Sequence, residues 1–188
     1  MAELFLQISV SLDTYIEDAH GNIDWMTSDL SFDRIATATL QSIDGMIFGR
    51  KAHALLAEFW PTAGDRLDAS ADLVAQARLM NSLPKYVLTT GDEQTGWTNS
   101  HAIRVGDVPR LKNEATRPLA VFAGAAAAQA LLAAGLIDEV RLVQYPLLLG
   151  SGTPLFTRDG VRRDLRLLGS EQLASGAVLL RYRVRSRH

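Results

Sequence analysis

Short apolar runs recur along the chain, and most are followed by glycine or small polar residues before a stretch of helical spacing begins. Residues 4–10 (LFLQISV), 45–48 (GMIF), 85–89 (KYVLT), 101–105 (HAIRV), 119–123 (LAVFA) and 139–145 (EVRLVQY) predict six strands. Between them the spacing predicts a helix from Ser28 or Asp29, either of which caps it, to about Ile43. Further helices are predicted over 50–58, closed by Pro61, over 69–81, briefly near 108–113, and over the alanine-rich 125–134, with Gly135 just past its end. Residues 13–28 are rich in turn formers and 150–154 read as a loop. The last runs, 165–173 and 177–184, are joined by Ser175-Gly176 and predict a terminal hairpin.

Strands alternating with helices, then a strand pair, imply an α/β fold with a mainly parallel sheet and an antiparallel edge. Ligands of such sheets bind beyond the carboxyl ends of the strands, so the residues just after each strand carry most information. The length of 188 residues suits one domain spanning 1–188.

Composition narrows the function. With 47% hydrophobic and 21% charged residues the chain is too apolar for disorder, and a net charge of -2 gives no general pull toward nucleic acid. There is no cysteine, which removes disulfides, thiolate nucleophiles and cysteine-ligated zinc, and fits a reducing cytoplasm. The first residues lack the basic start of a signal peptide. The longest apolar stretch, 119–136, is interrupted by Gly124, Gln129 and Gly135 and reads as a buried helix rather than a membrane span. Arg181, Arg183, Arg185 and Arg187 alternate along the last strand. They form a solvated face or a phosphate contact, and the solvated face is the expectation.

Three junctions stand out. After 45–48 come Gly49, Arg50 and Lys51, either a phosphate clamp at a helix start or a tight turn with two solvated bases. After 85–89 come Thr89 and Thr90, whose hydroxyls bond a phosphate or ribose, or their own turn. After 119–122 come Ala123, Gly124 and Ala125, small enough for a pyrophosphate to approach the helix start, or for tight helix-on-sheet packing. No GxGxxG is present, so an ordinary Rossmann reading is weak. Three such junctions on one sheet edge would together form an anion-binding ledge.

Seven segments carry a family resemblance: Ile8-Ser9-Val10-Ser11-Leu12-Asp13, Gly21-Asn22-Ile23-Asp24-Trp25, Phe48-Gly49-Arg50-Lys51, Leu83-Pro84-Lys85-Tyr86-Val87, Val121-Phe122-Ala123-Gly124, Gly135-Leu136-Ile137-Asp138-Glu139, and Pro146-Leu147-Leu148-Leu149-Gly150-Ser151-Gly152-Thr153-Pro154-Leu155-Phe156. In order and spacing they resemble the C-terminal reductase domain of the bifunctional riboflavin-biosynthesis protein, its stand-alone bacterial relatives above all, and more distantly dihydrofolate reductase. The resemblance implies a three-layer αβα dihydrofolate-reductase-like fold and an NADPH-dependent reductase. Gly49, Arg50 and Lys51 would hold the cofactor phosphates, with Arg50 near the 2′-phosphate. Thr89 and Thr90 would face the adenosine phosphate, and Ala123, Gly124 and Ala125 would lie under the pyrophosphate. Ser9 would stand beside the nicotinamide, and Trp25 would belong to a mobile loop closing over the ring.

The family usually continues Ser-Leu-Asp with Gly, where Thr14 stands here. Asp13 is the first candidate for substrate contact or proton delivery, and equally a turn stabiliser; Asp33 is the second, in the region where dihydrofolate reductase places a carboxylate. Asp29 reads as a helix cap. The substrate implied is a small heterocyclic or carbonyl compound, most like the ribosylaminopyrimidine of riboflavin biosynthesis. The alternatives are a folate, pterin or other small-carbonyl reductase, or an NADP-binding sensor or scaffold without catalysis. A homodimer is expected from the family, with 147–149 and the terminal hairpin as interface or as core.

Overall fold

The computed structural model describes residues 1–91, 96–122, 124–156 and 161–185. Its centre is an eight-stranded sheet. β1 (Leu4–Val10), β3 (Gly45–Gly49), β4 (Lys85–Leu88), β5 (Ser100–Ile103), β6 (Leu119–Val121) and β7 (Glu139–Gln144) lie parallel, in the order β5-β4-β3-β6-β1-β7. β10 (Val178–Val184) adds antiparallel to β7, and β9 (Leu165–Gln172) to β10, completing the expected antiparallel edge. A small pair, β2 (Tyr15–Glu17) with β8 (Thr153–Pro154), was not legible in the pattern, because two or three residues carry no periodicity.

The pleat sends alternate side chains to two cores. Leu4, Leu6, Ile47, Leu119 and Val121 face α4 (Val108–Glu114) and α5 (Ala125–Ala133), packing with Val108, Leu111, Ala128 and Leu131. Phe5, Met46, Phe48 and Ala120 face α1 (Leu30–Ser42), α2 (Arg50–Ala63) and α3 (Ala71–Ser82), packing with Leu40, Met80, Leu56 and Trp60. These are the three layers expected. No helix among the described residues is long and apolar enough to cross a membrane.

Local chemistry sets the helix ends. Asp29 caps α1 by accepting from Phe32 N–H at 2.8 Å, and its other oxygen accepts from Ser175 N–H in the terminal hairpin at 2.6 Å. The Phe32 and Ser175 donors hold its carboxyl down to about 2. At the end of α5, Leu136 N–H returns to Leu131 C=O at 3.0 Å, just beyond Gly135. Pro61 does not close α2, which runs on to Ala63. The proline sits in the last turn, where few intrahelical bonds remain to be lost, and Ala63 is buried.

Lys112 and Glu139, both buried, stand in ion pairs. Asp138 Oδ2 accepts from Lys112 Nζ at 2.6 Å and from Leu4 N–H at 2.7 Å, joining β7, α4 and β1. Glu139 Oε1 accepts from Arg141 and Arg181, each at 2.7 Å; burial pushes its carboxyl up, but the two guanidiniums outweigh it and hold it below its ordinary value. Arg183 pairs with Glu3 at 2.6 Å. The arginine row along β10 and just beyond it thus stays largely solvated, as expected, with Arg181 and Arg185 exposed, while Arg181 and Arg183 also pair with Glu139 and Glu3; Arg187 lies outside the described residues.

Two predictions follow from strained or buried positions. Thr14 has φ 67, a left-handed conformation costly for a β-branched residue. Thr14→Gly is expected to stabilise the fold by about 0.5–1 kcal/mol after the entropy of glycine is counted, read as a higher thermal midpoint. Lys85 is fully buried, its Nζ donating to the carbonyls of Met80, Asn81 and Leu83 at the end of α3, and burial pulls its ammonium down to about 8. A lysine depressed from about 10.4 leaves the native state holding fewer protons than the unfolded chain across that window. The stability of the wild type relative to Lys85→Met should then rise by roughly 3 kcal/mol between about pH 8 and 10.5, and be lost as pH falls back through 8. Parallel denaturant titrations of the two proteins check this.

Candidate active site

Because β1, β3, β4, β5 and β6 run parallel, their carboxyl ends share one edge of the sheet. A cavity of about 1140 Å³ opens along that edge. It is large against the roughly 300–1,000 Å³ usual for one drug-sized ligand. The structure brings most of the expected junction residues to it: Ser9 from β1, Gly49, Arg50 and Lys51 from the β3–α2 junction, Thr89 and Thr90 after β4, and Gly124 and Ala125 at the start of α5. Ala123 lies outside the described residues.

Two helix starts meet there. Gly49 precedes α2 and Gly124 precedes α5, and neither start has a side-chain cap. A Cβ on Gly49 would stand 3.2 Å from the Ala127 Cβ, so the glycine lets the two starts approach each other. Uncapped N–H groups and two converging helix dipoles favour an anion. Arg50, Lys51 and, beyond β5, Arg104 add positive charge to the same wall. Thr89 Oγ1 accepts from Gly91 N–H at 3.0 Å, so it closes its own turn while lining the cavity.

Lys51 is engaged across the cavity rim. Its Nζ donates to Glu17 Oε2 at 2.8 Å, and Thr153 Oγ1 donates to Glu17 Oε1 at 2.7 Å; the Lys51 bond first, then Thr153, holds the Glu17 carboxyl below its ordinary value. Gly152 makes this joint possible. Its φ is +137, and any side chain there would collide with the backbone carbonyl of Glu17.

The two expected acids stand elsewhere. Asp13 accepts from Ser11 Oγ at 2.6 Å, from Leu149 N–H at 3.1 Å and from Gly150 N–H at 2.8 Å. The Ser11 hydroxyl and these amides hold it below the usual carboxylate range. It clasps the 147–150 loop to the end of β1 and is not among the cavity walls. Asp33 accepts from Ser28 Oγ at 2.9 Å, and its neighbours Phe32 and Ala36 line the cavity in its place. Trp25 packs edge-on against Tyr145, ring centroids 5.7 Å apart at 87°, while Ile23 and Met26 of the same segment reach the cavity. Tyr145 is buried, which raises its phenol above the ordinary value, and Ser9 stands beside that phenol.

Arg104, Glu17 and Gln7 are cavity residues that the sequence reading did not single out. Arg104 had a signal, since it falls at the end of a predicted strand. Glu17 and Gln7 had none: one belongs to the three-residue β2, the other is a polar residue inside an apolar strand.

Comparison with known proteins agrees with this geometry. Residues 2–179 match the RibD C-terminal domain family. The chain is 30% identical over 185 residues to the Bacillus subtilis (strain 168) protein YyaP, covering 95% of this chain and 93% of that protein. A putative riboflavin biosynthesis protein from Shewanella sp. PV-4 superposes with a TM-score of 0.75 at 25% identity, covering 99% of this chain and all of that one (100%). Dihydrofolate reductase from Enterococcus faecalis, solved with NADP(H), superposes with a TM-score of 0.63 at 11% identity, covering 98% and 97% of the two chains, and so shares the fold. With nearly its whole length matched and the strand-end cavity in place, this chain belongs to the RibD C-terminal domain family and has a dihydrofolate-reductase-like fold.

Proposed function

We propose that the protein is an NADPH-dependent reductase of a small heterocyclic or carbonyl compound, related in chemistry to the reduction of a phosphoribosylaminouracil. The observation that carries this reading is the pair of uncapped helix starts beside Arg50, Lys51 and Arg104 on one cavity wall. That wall suits the several anionic groups of a dinucleotide. Gly49, Gly124 and Ala125 offer backbone N–H groups to the phosphates, with Ala123 assigned to the same turn by resemblance. Arg50 is assigned to the 2′-phosphate, and Thr89 and Thr90 to the adenosine side. Bound there, NADPH would supply a hydride.

The chain's own residues orient and shield. Ser9 at the end of β1 presents its hydroxyl beside the place assigned to the nicotinamide. Met26 and Ile23 cover that place, and Trp25 anchors their segment on Tyr145. Exclusion of water protects the transfer. Asp13 and Asp33, the acids first considered for proton delivery, are engaged with other donors, so the reading routes the proton through water and leaves Asp13 to position the 147–150 loop. A homodimer is part of the proposal: Leu148 and the β9 residues Leu165, Leu167 and Leu168 are exposed apolar side chains.

Titration with both pyridine nucleotides tests the core of the reading. NADPH should bind more tightly than NADH, and Arg50→Ala should weaken NADPH by roughly tenfold or more while leaving NADH nearly unchanged, because arginine's planar fork matches the extra phosphate. Equal weakening of both cofactors removes that role from Arg50. Sedimentation should find a dimer, with Leu167→Glu shifting it to monomer; a wild-type monomer rejects the assembly.

A further inference from the structure

The cavity is divided by charge, and the division speaks to the substrate. Its charged walls are Glu17, Arg50, Lys51 and Arg104, all at strand ends or at the first turn of α2, where the cofactor is assigned. Lys51 and Glu17 pair with each other. Further along α2 the lining turns apolar. Leu56 and Trp60 stand six and ten residues beyond Arg50, hence about 9 and 15 Å along the helix axis. Opposite them are Phe32, Ala36 and Leu40 of α1, with Phe122 at the floor. Among the described residues, no lysine, arginine, histidine or carboxylate lines this inner part.

Three neutral polar side chains interrupt it. Gln76 spends its amide N–H groups on Asp33 C=O at 3.3 Å and Thr37 Oγ1 at 3.0 Å. Gln7 Oε1 accepts from Thr39 Oγ1 at 3.2 Å, and Gln7 also lines the cavity. Ser9 contributes a hydroxyl. The compartment therefore offers apolar area with a few neutral hydrogen-bonding groups, the unpartnered Trp60 indole N–H among them.

A phosphate placed between Phe32, Leu40, Leu56 and Trp60 would lose its water without gaining a cation, a cost of several kcal/mol in such surroundings. An amino-heterocycle with two adjacent N–H donors calls for a carboxylate fork. Asp13, Asp29 and Asp33 are not among the cavity walls, and Glu17, the carboxylate that is, pairs with Lys51 at the rim.

We infer that the inner compartment takes an uncharged, planar, mostly apolar carbonyl compound, a quinone or aromatic ketone by class, in place of a phosphorylated aminopyrimidine or a pterin. This rests on the proposed cofactor position and narrows the substrate beside it. The apolar faces of Phe32, Leu56 and Trp60 would hold the ring, and the Gln7 amide N–H would meet its oxygen.

The test is binding to protein saturated with NADP+, followed by calorimetry so that it does not depend on turnover. Menadione is expected to bind roughly tenfold or more tightly than either phosphoribosylaminouracil or dihydropterin. Ala36→Asp, a charge on the half-exposed wall of α1, is expected to weaken menadione by about tenfold while NADP+ affinity stays within about twofold, which also shows the variant folded. Equal or tighter binding of the phosphorylated compound or of the pterin, no menadione binding by NADP+-loaded protein, or an unchanged menadione affinity in Ala36→Asp overturns the substrate class and leaves the reductase reading standing. Failure of the wild type to hold NADP+ overturns both.

Discussion

Six strands running in one direction are the constraint on which the rest of the molecule depends. Parallel pairing of β1 with β6 and β7, and of β3 with β4 and β6, sends the chain out of the sheet at the same edge each time. The helices that follow β3 and β6 consequently begin side by side. Their unpaired N–H groups and dipoles then add where they would otherwise be scattered. Gly49 matters because a side chain there would crowd Ala127 of α5, so the glycine eases the close approach of the two helix starts. Attraction for an anion thus comes from backbone geometry first and from Arg50 and Arg104 second, Lys51 being paired with Glu17.

The opposite ends of the same strands do structural work. Asp138 and Glu139, at the start of β7, gather Lys112, Leu4 N–H, Arg141 and Arg181 into paired, largely buried contacts. Arg141 also lies over the Phe5 ring, 3.6 Å from its centre. The Gly-Leu-Ile-Asp-Glu segment is therefore an anchor of β7 between β1 and β10 rather than part of the site. The Leu-Gly-Ser-Gly segment is the counterpart beside the cavity: Gly150 donates to Asp13, and Gly152 lets β8 approach Glu17. Of these two recognisable motifs, one therefore holds the sheet and the other shapes the cavity rim.

Charge and polarity split the cavity into two environments. Toward the strand ends it offers helix starts and cations, and toward the far end of α2 it offers aromatic and aliphatic walls. A charged cofactor and an uncharged acceptor can share one depression only if it is divided in this way, since each desolvates the other's neighbours. Asp29 links this arrangement to the sheet edge, because one carboxylate both caps α1, which carries Phe32 and Ala36, and holds the turn of the β9–β10 hairpin.

The sequence by itself determined the succession of elements, because burial on both faces of a parallel strand leaves short apolar runs and amphipathic helices leave their own period. It also narrowed the start of α1 to Ser28 or Asp29 and marked the end of α5 at Gly135, which are local chemistry between neighbouring residues. It pointed to the residues after each strand, and the cavity formed at those residues. What only the tertiary structure decided were relations between distant segments. Asp13 reads as a candidate acid until Leu149 and Gly150, 136 and 137 residues away, are seen to donate to it. The pairing of Arg181 with Glu139 and of Arg183 with Glu3 is likewise absent from any local pattern. Pro61 reads as a helix end until the burial of Ala63 is known. In each case the deciding partner is far away along the chain, and no periodicity or local propensity carries information across that distance.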